Sequence, residues 1–170
     1  MEVANSIIKA IESKDENEFE LMRSRMKAKK VLSRAEFRKL IELLKKQSVE
    51  ILSIQDLTVG ECRLLGKALM ATKLQDIDEV ISCVISKQAG RAALLLNCLL
   101  NKKCKINLVP LQEYLKDMIA NEIQLCHLKL LLTISRNYPS LIDNSVIEFC
   151  SRKSHPVCKM ILEKHQIEYE

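Results

Sequence analysis

Gly90-Arg-Ala-Ala-Leu-Leu-Leu-Asn-Cys-Leu-Leu-Asn101 is the stretch on which the fold turns. Eight of its twelve residues are apolar: Ala92, Ala93, Leu94, Leu95, Leu96, Cys98, Leu99 and Leu100. Leucine and alanine are strong helix formers, and no β-branched residue interrupts them, so the run reads as a helix. At about 100° per residue, Gly90, Asn97 and Asn101 share one narrow strip and nearly all the rest of the circumference is apolar. A helix of that kind has to be covered on nearly all sides. Twelve residues fall short of the roughly twenty that span a bilayer, which makes this a core helix rather than a membrane span.

The neighbours that would cover it are amphipathic segments of the same chain. Upstream, Phe19, Met22 and Met26 recur at helical spacing, as do Phe37, Leu40, Ile41 and Leu44, then Cys62, Leu65 and Leu69, then Ile77, Val80, Ile81, Val84 and Ile85. Downstream come Leu111, Tyr114, Leu115, Met118 and Ile119, then Leu125, Leu128, Leu131 and Leu132, then Val146, Ile147 and Cys150, then Val157, Met160 and Ile161. Ahead of all these, Asn5-Ser6 would cap a short helix carrying Ile7, Ile8 and Ile11. Ser33-Arg-Ala-Glu36 and Thr58-Val-Gly-Glu61 are capping boxes, in which the hydroxyl takes an orphan amide and the glutamate reaches back. Asp76, Asn121, Asn144 and Ser154 are read as further helix starts, Pro110 as a first-turn proline, and Tyr138-Pro139 as a stop.

The starts form two interleaved series, near residues 58, 90, 122 and 155 and near 33, 76, 110 and 144. A helix pair recurring about every 33 to 43 residues is the pattern of a helical-repeat array. The expectation is an all-α fold: HEAT/armadillo-like antiparallel helix pairs forming a short α-solenoid over residues 1–170. Basic N-terminal helices would occupy 1–31 and stacked pairs 33–165; a compact orthogonal bundle is the alternative. Composition agrees. The chain has 170 residues, enough for one domain, with 48% apolar residues and 29% charged, and only three glycines and three prolines, which leaves little room for hairpins. No apolar run approaches a membrane span, and Met1 to Glu20 carries acids where a signal peptide would be greasy, so a secreted or membrane protein is not expected.

Seven cysteines (62, 83, 98, 104, 126, 150 and 158) fall mostly on apolar stripes, where free cysteine behaves as a small hydrophobe. Their odd number points to a reducing compartment, nucleus or cytoplasm. Cys150, His155, Cys158 and His165 have a superficial likeness to a zinc set, but Cys150 and Cys158 occupy core-stripe positions, and the expectation is no metal and no cofactor. Cys126 and His127 are adjacent and diverge by about 100° on a helix, unsuited to a nucleophile–base pair. With no glycine-rich phosphate loop or nucleophile elbow, an enzyme is not expected.

Charge is uneven. Between residues 23 and 46 ten basic side chains face only Glu36 and Glu42, which leaves +8 in that segment and −3 in the rest of a chain whose net charge is +5. Arg23, Arg25, Lys27, Lys29, Lys30, Arg34, Arg38 and Lys39 are therefore candidate phosphate contacts for RNA or DNA; an acidic protein or simple solvation are the other readings.

Near the C-terminus, Lys129-Leu-Leu-Leu-Thr-Ile-Ser-Arg-Asn-Tyr138 is followed by an Ile142-containing helix and then one containing Lys159. This resembles the end of the Fanconi anaemia group E family, whose C-terminal domain is a helical-repeat array with a Lys-Leu-x-Leu-Thr core followed by a tyrosine. The matching positions are Lys129, Leu130, Leu132, Thr133, Tyr138 and Ile142. The resemblance implies a non-enzymatic nuclear adaptor in DNA interstrand-crosslink repair. Such an adaptor links a ubiquitin-ligase core complex, through its group C and F subunits, to a group D substrate. It also implies partner binding near the last helix, by Arg152, Lys153, His155, Pro156, Lys159 and Met160. The family has an aromatic residue there; this chain has Pro156 or Met160 in its place, depending on register.

Overall fold

The structure, a computed structural model, describes residues 18–28, 31–88 and 90–166. The helix expected around Ile7 to Ile11 lies outside the described residues, as do Lys29 and Lys30. Among the described residues every regular element is helical: α1 (18–28), α2 (Arg34–Leu52), α3 (Val59–Ala71), α4 (Ile77–Lys87), α5 (Ala92–Leu100), α6 (Val109–Ala120), α7 (Leu125–Asn137), a 3₁₀ turn (Pro139–Leu141), α8 (Asn144–Ser151) and α9 (Pro156–Gln166).

The caps explain most of these boundaries. Both capping boxes form: Ser33 and Glu36 close one around the start of α2, and Thr58 and Glu61 the other around α3. Pro110 sits in the first turn of α6. α7 stops at Tyr138, and the chain turns through the 3₁₀ element. Other starts shift. α5 begins at Ala92 rather than Gly90. Asn121 does not open α7 but ends α6, its side-chain amide donating to the Asp117 carbonyl at 2.7 Å. Gln124 opens α7 instead, in a reciprocal box with His127. Asp143, one residue before Asn144, caps α8 by accepting from the amides of Ser145 and Val146. Asp76 precedes α4 but makes no side-chain cap bond. The last helix begins at Pro156, two residues beyond Ser154.

Packing sorts the helices into two rows. α3, α5, α7 and α9 stack side by side, α2, α4, α6 and α8 form the second row, and the rows meet through α2 with α3, α4 with α5, and α8 with α9. The first row starts at residues 59, 92, 125 and 156, steps of 33, 33 and 31. The second starts at 34, 77, 109 and 144, its first step longer because α2 runs for 19 residues. This packing is consistent with a helical solenoid.

α5 lies between α3 and α7 and above α4, covered on three sides. Leu95, Leu96, Leu99 and Leu100 are completely buried. Each such side chain stabilises the fold by about 1.5–3 kcal/mol relative to exposure, several times what helix propensity contributes per residue. α1 joins the end of the array by turning Phe19, Met22 and Met26 into the common core.

Each lateral step of the first row also carries its own joint. Between α1 and α3, Arg23 Nε donates to Glu61 Oε1 at 2.8 Å. Between α3 and α5, Gly66 is where the helices close up: a Cβ there would stand 2.7 Å from Cys98 Sγ. Between α5 and α7, the Thr133 hydroxyl donates to Asn97 Oδ1 at 2.6 Å and Asn137 Nδ2 donates to the Leu100 carbonyl at 3.0 Å. Between α7 and α9, Ser135 Oγ and His165 Nε2 are hydrogen-bonded at 3.0 Å, and Lys164 Nζ donates to the Ser135 carbonyl at 2.6 Å. In the second row, the buried Gln88 amide donates to the carbonyls of Leu52 and Ile54, at 2.8 and 2.7 Å, and ties the ends of α2 and α4.

Candidate functional site

Among the described residues the basic run is divided between α1 and α2. Arg23 shares the inward side of α1 with Phe19, Met22 and Met26, and its side chain is only 14% exposed. Its guanidinium meets the fully buried Glu61 carboxylate at 2.8 Å. Burial opposes ionisation of Glu61, but hydrogen bonds from the Thr58 amide, Arg23 and the Thr58 hydroxyl outweigh it and hold the carboxyl below the usual glutamate range. Arg23 is thus a structural cation, a role invisible in a run whose partner lies 38 residues away. Arg25 pairs with Glu36 at 3.3 Å, Lys39 with Glu18, and Lys45 with Glu42 at 2.7 Å. Arg34 and Arg38 stand exposed on α2. Lys27 lies apart from them, beside α3, lining a groove of about 620 Å³ with Gly60, Arg63 and Lys67.

The six C-terminal candidates gather at the corner between α8 and α9 but divide into two groups. Arg152 and Lys153 follow α8 and line a shallow groove of about 610 Å³ between α6 and α8, together with Lys116, Ile119, Glu148 and Phe149. Arg152 is ion-paired to Glu148. The Lys153 ammonium lies 5.6 Å from the centre of the Phe149 ring, within cation–π range. Pro156, Lys159 and Met160 belong to the exposed side of α9, in the other row, where Met160 is 44% exposed. Half-buried His155 stands between the groups, its Nδ1 accepting from the Val157 amide at 3.2 Å as a cap for α9.

The cysteines and histidines are drawn into structural roles. Cys150 and Cys158 face each other in the core; burial and the neighbouring Cys158 push the Cys150 thiol up to about 12. Burial likewise raises Cys62 to about 11, so neither is a ready nucleophile at neutral pH. His165 is held by Ser135. His127 Nδ1 accepts from the Gln124 amide at 3.0 Å, while Cys126 Sγ lies 3.8 Å from Gln124 Oε1, so the adjacent pair is turned to different tasks. Among the described residues no three His, Cys, Asp or Glu side chains are grouped to hold a metal ion, and no helix is long and apolar enough to cross a membrane.

Of the positions that carry the family resemblance, Thr133 and Tyr138 reach across to α5 and the connector after it. Leu130 is completely buried, Thr133 bonds Asn97, and the Tyr138 hydroxyl donates to the Cys104 carbonyl at 3.0 Å; Lys129 is exposed. The exposed cations of the first row, Arg63, Lys67 and Arg136 with Lys129 and Lys159, come together only through the fold. No run of charge in the sequence announces them.

Comparison of the chain with protein-family models, with curated proteins and with solved structures finds no match.

Proposed function

We propose that the chain is a non-enzymatic adaptor: a HEAT- or armadillo-type array that acts in the nucleus as the Fanconi anaemia group E repeat domain does. In that role it bridges core-complex subunits of the interstrand-crosslink ubiquitin ligase and their group D substrate. The observation that carries the reading is the arrangement of helices in two rows with rungs 31 to 33 residues apart in the first. Such an array shields its apolar stripes between neighbours and leaves outer faces and the terminal corner for recognition. The matched positions Leu130, Thr133 and Tyr138 support the resemblance, because they hold one rung to the next and so have a reason to recur in an array of this build. At the C-terminal corner Met160 offers an exposed apolar side chain beside Lys159, a pairing suited to a partner with an apolar pocket and an acidic rim.

Co-expression with the group C and F subunits, followed by size-exclusion chromatography, tests this. A stable complex is expected. Met160→Asp combined with Lys159→Glu is expected to weaken capture of the group D substrate by at least about tenfold, the scale of one lost anchor contact. Absence of any complex with the core subunits rejects the assignment.

A further inference from the structure

The exposed carboxylates of the two rows of helices are unevenly divided. On the outer side of α3, α7 and α9 stand Arg63 and Lys67, Lys129 and Arg136, and Lys159, all exposed. Their spacing puts each set on one helix face: Arg63 and Lys67 are four apart, and Lys129 and Arg136 seven apart, about two turns. Between them α5 contributes no charge and presents half-buried Asn97 and exposed Asn101. Among the described residues, Glu163 is the one carboxylate on the exposed side of this row, since Glu61 is buried under Arg23. The opposite row is different. α4, α6 and α8 expose Asp78, Glu79, Glu113, Asp117 and Glu148 against Lys87 and Lys116, and α2 mixes exposed Arg34, Arg38, Lys39, Lys45 and Lys46 with Glu42 and Glu50. What sets the outer face of the first row apart is that its cations are nearly unopposed by carboxylates, and this face lies mostly outside the basic run of the sequence.

We propose that the outer face of the α3–α5–α7–α9 row binds the phosphate backbone of a nucleic-acid duplex through Arg63, Lys67, Lys129, Arg136 and Lys159. Charge complementarity selects a polyanion, and three features select a duplex. Helices packed side by side lie roughly 8–10 Å apart, so α3 to α9 spans about 25–30 Å, or roughly eight base pairs at about 3.4 Å each. The cations sit in rows separated by neutral α5, as contacts to successive backbone ridges would require, rather than in one pocket suited to a single phosphate. None of the four helices contains Phe, Tyr or Trp, so the face has no platform on which the bases of a single strand could stack. Lys27, beside Arg63 and Lys67 in the groove at the start of α3, extends the same face by one further cation. Recognition is of the backbone, neutral to sequence, and this binding surface shares only Lys159 with the C-terminal corner.

The test is fluorescence anisotropy of the full chain with labelled DNA and RNA duplexes of one sequence, a matching single strand and a poly-glutamate peptide. Five phosphate contacts predict a log–log salt slope of about −4.5, hence a loss of several hundredfold between about 50 and 200 mM salt. Arg63→Glu/Lys67→Glu/Lys129→Glu/Arg136→Glu is expected to weaken duplex binding more than tenfold and to flatten the slope. Arg34→Glu/Arg38→Glu, on the other row, should change it less than twofold. The neutral pair Arg63→Gln/Lys129→Gln, read beside circular dichroism of every variant, separates lost contacts from lost folding and should remove about two units of slope. Binding of either duplex, DNA or RNA, in this pattern supports the proposal. No duplex binding at low salt, equal sensitivity to both sets of reversals, or tighter binding of poly-glutamate or the single strand overturns it.

Discussion

Arg23 and Glu61 show how one residue can be misjudged by its neighbours in sequence and set right by its neighbours in space. Removing the guanidinium while keeping an apolar stem, as in Arg23→Met, leaves a carboxylate buried without its charged partner. That costs about 3 kcal/mol, or roughly 6–12 °C in Tm for a chain of this size. The pH dependence has a definite sign. The Glu61 carboxyl titrates lower in the folded chain than its ordinary value of 4.5, so its contribution is present above that value. It is lost as pH falls through the folded-state value. The variant's deficit should therefore be full at pH 7 and smaller at a pH below the ordinary glutamate value of 4.5. Urea unfolding at the two pH values measures it, and a deficit unchanged in acid would contradict the role assigned to the pair.

At the scale of the helix, Gly66 sets how closely α3 and α5 approach. Gly66→Ala places a methyl group 2.7 Å from Cys98 Sγ and is expected to destabilise by about 1–3 kcal/mol through overpacking. Adding Cys98→Ala removes the obstructing sulfur. The double variant should recover most of that loss, helped by up to about 1 kcal/mol from replacing a mid-helix glycine. Denaturant midpoints of the two single variants and the double variant decide it; a double variant no better than Gly66→Ala alone would show that the sulfur is not the obstacle. The helices themselves were legible because their signals are local. Ser33, Glu36, Thr58 and Glu61 mark starts by residue type, and Pro139 marks a stop. Asn121 was misread because asparagine suits either end of a helix, and nothing local says which neighbouring helix it belongs to. Gly66 and its partner, and the pairing of Thr133 with Asn97, were not legible at all, since a side chain's partner in the next rung depends on rotation and separation that periodicity leaves open. The cationic face was hidden for the same reason: Arg63, Lys67, Lys129, Arg136 and Lys159 are scattered over nearly a hundred residues and converge only when the rungs stack.

For the whole molecule, packing between rungs means that stability is expected to vary along the array. α5 is clasped on three sides, whereas α9 ends its row against α7 and α8. Native-state hydrogen exchange should therefore find the slowest amides in α5, with intermediate protection in α3 and α7 and the fastest helical amides in α9. Uniform protection across all helices would mean a single cooperative core and would argue for the compact bundle instead. The joints described above also connect end to end: α1 to α3, α3 to α5, α5 to α7, α7 to α9. A load applied between the first and last helices passes through these steps in series, each step carried by its first-row joint together with the second-row contacts beside it. The weakest link alone then fixes the tension at which the chain begins to lengthen, and the molecule yields like a spring paid out coil by coil.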